Sequence, residues 1–227
     1  MIRDEDLKQA IDYSEGQKTA AYMILGEIVN LLGEFSDNIR IIGGWVPTLL
    51  YPDSGHIGSI DVDFLSGKYG GDGENVSKHV DGIKTLPATG GNFAFEFPPT
   101  DVLIKYTRSD GALDNGHVNV ISVVPYLVMK AAALGRGKPK DAYDIYCTIN
   151  NYKGGVRELA SEFEPYADKE LVQAMCQKLD EKFASVSHVG PIDVVSFMGI
   201  TDAEEKELIK QDVYQKVHYL VNKLEID

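Results

Sequence analysis

Ile39-Arg40-Ile41-Ile42-Gly43-Gly44-Trp45-Val46-Pro47-Thr48-Leu49-Leu50, followed after a polar loop by Ser59-Ile60-Asp61-Val62-Asp63-Phe64-Leu65, is the stretch whose reading decides the fold. The β-rich run 39–42 reads as a strand stopped by two glycines. Pro47 then falls where the first turn of a helix tolerates one. Pro52-Asp53-Ser54-Gly55 marks the loop, and the strict alternation across 59–65 reads as a second strand.

Upstream, Ala21, Ile24, Leu25, Ile28, Leu31, Leu32 and Phe35 recur at spacings of three and four. That is one face of a helix over 14–35, with Ser14 placed to cap its start. Downstream, residues 68–85 carry many glycines and a helix is expected around 75–83. The apolar runs 93–97 and 102–106 are split by Pro98-Pro99-Thr100-Asp101 and read as two distinct strands, because proline is poor inside a sheet. A further strand covers 118–123. From residue 125 onward the chain reads as helices over 126–134, 141–150, 156–163, 169–186, 192–198 and 203–224. The expected fold class is α+β. A small, mostly antiparallel mixed sheet with flanking helices spans residues 1–124, and an α-helical domain spans 125–227 and completes a cleft with it.

Two residues apart on a strand, Asp61 and Asp63 point to the same face. Like charges so placed are unfavourable unless solvent or a cation relieves them. Mg²⁺ suits the task, taking one or two carboxylates and sharing its other positions with phosphates and water. Taken alone, Asp-x-Asp equally fits a sheet with one wet face. Gly43-Gly44 lets backbone approach a phosphate at a helix start, or simply makes a tight turn. Together with Ser59, the two segments form a phosphate cradle facing a metal platform.

Lys130, Arg136, Lys138 and Lys140 gather four cations within eleven residues of a chain whose formal net charge is −13. Cations concentrated against that background indicate an anion site such as one for a triphosphate. Asp141 and Asp144 stand three apart and share a helix face. The plainer alternative is a helix start decorated by Asp141 with solvated lysines before it.

Ile42-Gly43-Gly44-Trp45, Ser59-Ile60-Asp61-Val62-Asp63-Phe64 and Lys138-Pro139-Lys140-Asp141-Ala142-Tyr143-Asp144-Ile145-Tyr146 resemble the nucleotidyltransferase superfamily. More narrowly, they resemble its AbiEii-type branch, which includes toxins of toxin–antitoxin systems. The resemblance covers roughly residues 39–150, with looser similarity in the helical tail at His188-Val189-Gly190-Pro191. It implies transfer of a nucleoside monophosphate from a nucleoside triphosphate to an acceptor hydroxyl, with two Mg²⁺ ions brought in with the nucleotide. The acceptor it implies is RNA (such as a tRNA end) or a protein, with a cognate antitoxin as a further partner. It places phosphate contact on Lys130 and catalytic or orienting roles on Asp141 and Asp144, beside Arg136 and Lys140. It also calls for a third carboxylate on a neighbouring strand, to bind metal and take the acceptor's proton. Asp101 is the choice, Glu96 the competitor, and Asp110 and Asp114 stand further back. Many members carry Arg two residues before the Ser or Thr; here Ile57 holds that place, leaving Arg40 or His56 to supply charge.

Two other functions fit the same motifs: a small-molecule nucleotidyltransferase of the antibiotic-modifying type, and a nucleotide-binding module that has lost turnover. Other classes fall away. The five histidines lack paired metal spacing, and Ser59 lacks a Gly-x-Ser-x-Gly elbow. Cys147 lies on an apolar helix face, and Trp45 reads as core. No apolar run is long enough to span a bilayer, so no membrane partner is expected. The acidic start, without an apolar segment, and only two cysteines lead to the expectation of a cytoplasmic protein.

Overall fold

The computed structural model describes residues 8–31, 33–66 and 88–225. Helix α1 (Glu15–Leu31) starts where expected, the Gln17 N–H donating to Ser14 Oγ at 3.3 Å. Strand β1 (Ile39–Ile42) runs into a 3₁₀ turn at Gly43–Trp45, then into α2 (Val46–Leu50). After a loop come β2 (Asp63–Ser66), the single turn α3 (Gly91–Ala94), and the hairpin β3 (Thr100–Thr107) and β4 (Leu113–Val120). Together they make an α+β fold around a small mixed sheet of order β2-β1-β4-β3. β1 is antiparallel to β2 and parallel to β4, and β3 is antiparallel to β4.

α1 lies on the hairpin, and glycines set the approach. A Cβ on Gly26 would stand 2.2 Å from the Tyr106 ring, and one on Gly116 would stand 3.1 Å from Val29. The rest is helical: α4 (Val123–Ala133), α5 (Pro139–Asn151), α6 (Gly155–Phe163), α7 (Glu170–Lys182), α8 (Val189–Phe197) and α9 (Ala203–Leu224). α5 packs against α8, α4, α9 and α2. One buried apolar cluster runs from Leu25 and Trp45 through Val120, Tyr126 and Ile145 to Leu220. The sheet half and the helical half therefore share a core. Among the described residues no helix is long and apolar enough to cross a membrane.

Three expectations change. The strand expected over 59–65 begins only at Asp63, because β1 stops at Ile42 and its ladder ends with the pair Ile42↔Asp63. The run 93–97 is not a strand. Phe93 and Phe97 pack edge to face at 4.9 Å and 84°, Glu96 faces solvent, and the pattern is that of a helical turn. The alternating phenylalanines imitate period two, while Pro98-Pro99 keep the segment from pairing in a sheet. Finally, β4 starts at Leu113 rather than 118, because hairpin pairing with β3 carries the polar stretch Asp114-Asn115-Gly116-His117 into the ladder. The helix expected around 75–83 lies outside the described residues.

Candidate functional site

The site is built around the turn that ends β1. Gly43 has φ +74°, a left-handed conformation that favours glycine. A Cβ there would stand 2.3 Å from Asp63 Oδ2. A Cβ on Gly44 would stand 2.7 Å from Lys140 Nζ and 2.9 Å from Ser59 Cβ. The glycine pair thus lets backbone touch a carboxylate on one side and an ammonium on the other. At five residues, α2 sums few peptide dipoles, so Lys140 is the principal positive group here.

Asp63 opens β2, and Asp61 lies in the irregular loop before it; both residues are exposed. The Ser59 hydroxyl donates to Asp61 Oδ1. The Trp45 indole N–H donates to the Asp61 carbonyl at 2.9 Å, fixing the loop against the turn. Trp45 itself is buried beside Tyr22, at 5.3 Å between ring centres, and over Gly58. It is core, as expected, and it also anchors the acidic loop. Asp61 is held by these contacts and Asp63 lies against Gly43; two exposed carboxylates beside a glycine turn are the oxygen donors that Mg²⁺ takes together with water and phosphate.

Behind the turn lies a buried ion cluster. Lys140, Asp141 and Asp144 come from the first turns of α5 and Lys130 from the last turn of α4. Lys130 Nζ donates to Asp141 Oδ1 at 2.9 Å and to Asp144 Oδ2 at 2.6 Å. Lys140 Nζ donates to Asp144 Oδ1 at 2.9 Å. Arg136, largely exposed, faces Asp141 Oδ2 at 3.7 Å. Burial works to raise the Asp144 carboxyl, but Lys130, Lys140 and His56 hold it well below the ordinary carboxylate range. Burial likewise opposes charge on Lys130, but Asp144 together with Tyr126 and Asp141 outweighs it and holds the ammonium well above its usual value. The formal charges of Lys130, Lys140, Asp141 and Asp144 cancel, which is how such a group survives away from water. Lys130 and Lys140 are therefore fixed in place rather than solvated.

His56 is the residue that sequence reasoning undervalued. The Gly58 N–H, which can only donate, points to His56 Nδ1 at 3.1 Å, and the Thr48 hydroxyl lies 2.8 Å from the same atom. Nδ1 is therefore the acceptor, and the ring proton sits on Nε2, donated to Asp144 Oδ1 at 2.8 Å. Burial pushes the pKa of His56 down, with help from Lys140 and Lys130 against Asp144, so the ring is neutral. Neither alternative source of charge reaches the glycine turn as a free cation. Arg40 donates to the Asp37 and Ile39 carbonyls and stacks 5.1 Å over the Phe95 ring.

Gly43, Gly44, Ser59, Asp61, Asp63, Lys130, Arg136, Lys140, Asp141 and Asp144 thus form one neighbourhood. Asp101 stands apart. It is the second residue of β3, with β4 and β1 between it and β2, about 14 Å away at ordinary strand spacing. Its carboxylate meets His117 Nδ1 at 2.9 Å. Glu96 pairs with Lys169 at 2.8 Å, and Asp110 and Asp114 flank Arg108 at the far end of the hairpin. Among the described residues no three or more His, Cys, Asp or Glu side chains gather as a metal cage. Burial pushes the Cys147 thiol up and that of Cys176 up to about 11, so both are core rather than nucleophiles. The chain matches no family model, no curated protein and no solved structure.

Proposed function

We propose that the protein is a Mg²⁺-dependent nucleotidyltransferase, moving a nucleoside monophosphate from a nucleoside triphosphate to an acceptor hydroxyl, as its resemblance to the AbiEii-type branch implies. One observation carries the reading. The turn at Gly43-Gly44 lies against Asp63 on one side and Lys140 on the other, in the space a Cβ would fill. Three segments distant in the chain thus bring two carboxylates, a glycine turn and fixed ammonium groups together.

Asp61 and Asp63 would hold Mg²⁺, which supplies neutralisation of the α-phosphate and a lowered pKa for the acceptor hydroxyl. Gly43 and Gly44 would give the phosphates close backbone approach, and Ser59, whose hydroxyl donates to Asp61, would orient that carboxylate. The acceptor oxygen bonds to the α-phosphorus, the bond to the bridging oxygen breaks, and pyrophosphate leaves with the electron pair; the acceptor's proton passes to water. Lys140, set by Asp144 and backed by Lys130, would neutralise the charge that grows on the leaving group, and Arg136 would offer a further cation at the rim.

The separation of Asp101 from the Asp61–Asp63 pair favours a second reading, a module that binds nucleotide without turnover. One experiment decides between them. The protein and Asp63→Ala are each incubated with Mg²⁺ and α-labelled nucleoside triphosphates, in turn with total RNA, protein and small hydroxyl compounds. Label moved by the wild type alone supports transfer and identifies the acceptor class. Metal-dependent binding without transfer supports the module, and silence in both overturns both readings.

A further inference from the structure

His56 joins three segments that carry the site. Its ring is wholly buried and lies flat on the Tyr143 ring of α5, with centres 5.2 Å apart and planes 10° apart. Nδ1 accepts from Thr48 of α2 and from Gly58 in the acidic loop, while Nε2–H donates to Asp144 of α5. The loop from Gly55 to Val62 has no ladder partner, since β2 begins only at Asp63. It is held by the Trp45 indole at Asp61 on one flank and by His56 on the other.

We propose that His56 is a positioning residue for nucleotidyl transfer, setting the distance between the Asp61–Asp63 carboxylates and the Lys140–Lys130 cations. The inference rests on the nucleotidyltransferase reading. Asp144 Oδ1 accepts from both His56 and Lys140, so one carboxylate fixes the loop and the ammonium in a common frame. An error of about 1 Å in such a frame costs on the order of a hundredfold in rate. The neutral Nε2–H tautomer is essential to the link, because only it donates to Asp144 while accepting from Gly58.

The two ends of the ring can be tested separately. In His56→Gln an amide NH₂ takes the place of Nε2 and retains donation to Asp144. In His56→Asn an amide oxygen takes the place of Nδ1 and retains acceptance from Gly58 and Thr48. The full chain and the variants His56→Ala, His56→Gln and His56→Asn are compared for kcat and KM in Mg²⁺-dependent transfer of α-label, with melting followed by Trp45 fluorescence. The expected result is a fall in kcat of about tenfold or more for His56→Ala, with KM for the triphosphate changed less. His56→Gln should recover more of kcat than His56→Asn, because it restores the link between segments. Equal kcat in all the forms, or kcat losses that only track melting temperature, overturns the positioning role and leaves the activity standing. If the His56 variants do not fold, Thr48→Val decides. It removes one hydrogen bond to the ring, so a smaller loss of kcat supports the role and an unchanged kcat overturns it. A wild type that transfers nothing to any acceptor overturns the underlying reading and this inference with it.

Discussion

Gly43 and Gly44 test the site with a single methyl group each. At Gly43, with φ +74°, Ala meets left-handed strain of about 1–2 kcal/mol and must push the Asp63 carboxylate aside. At Gly44 the strain is steric alone, against Ser59 Cβ and Lys140 Nζ, and overpacking costs about 1–3 kcal/mol. Both variants are expected to lower the urea midpoint, and Gly43→Ala to weaken Mg²⁺-triphosphate binding more than its stability loss explains; calorimetric titration beside urea melts checks this. Acid tests the cluster. Asp144 is held below its unfolded pKa of about 3.9, so its contribution is present above that pH and is lost as pH falls through the folded value. His56 acts in the same direction from a higher pH. Its pKa is pushed down from about 6.5, so the unfolded chain takes up a proton that the folded one refuses, and stability falls as pH drops below that point. Urea midpoints measured across this range should show the slope, and His56→Gln should flatten its upper part. Asp144→Asn should remove the Asp144 part of the acid limb and cost about 3–5 kcal/mol at neutral pH, because it strands the buried Lys140 without its counter-charge and leaves Lys130 with Asp141 alone. At this scale what was legible was local: the glycine turn after β1 and the i,i+3 acids of α5 that enter the buried ion cluster; the shared strand face expected for Asp61 and Asp63 was not, because Asp61 lies in the loop before β2. His56 was not, since its partner lies 88 residues away and no spacing announces it.

Elements were legible where one period ruled and misleading where two competed. The spacing in α1 and the later helices is plainly helical, and the structure places helices over those segments. Phe93, Phe95 and Phe97 satisfy period two, yet the segment folds as a turn whose buried residues are Phe93, Ala94 and Phe97. Strand order was hidden altogether. The sequence places Asp101 at the head of a strand, but only the order β2-β1-β4-β3 shows that two strands separate it from Asp63. The seating of α1 on the hairpin gives an element-level test independent of the site. Gly26→Ala would drive a methyl into the Tyr106 ring, 2.2 Å from its nearest atom. Overpacking of this kind costs about 1–3 kcal/mol, so urea denaturation should show a lower midpoint with an unchanged slope. Binding of Mg²⁺-triphosphate to the folded variant should match the wild type, because Gly26 meets the sheet through Tyr106 rather than through the glycine turn.

For the whole molecule, the shared core has a consequence that a division at residue 125 would not have. Apolar residues from Leu25 to Leu220 belong to one buried cluster, and the ion cluster binds α4 and α5 to the loop before β2 through His56. Separate halves would unfold in separate steps, whereas a common core predicts one cooperative transition. Trp45, the sole tryptophan, reports on the sheet half, and far-UV circular dichroism is dominated by the helices that follow. The two melting curves should coincide, and two displaced curves would count against a common core. Ligand binding then acts on the same transition, since a species that binds only the folded chain stabilises it by about 2.7 kcal/mol at a hundred times its Kd. Mg²⁺ with a nucleoside triphosphate should therefore raise both curves together, and chelation of the metal should reverse the shift. Asp63→Ala should abolish the shift while keeping the two probes coincident, because it removes an exposed carboxylate and leaves the core intact. A shift that survives both chelation and Asp63→Ala would place the nucleotide away from the glycine turn.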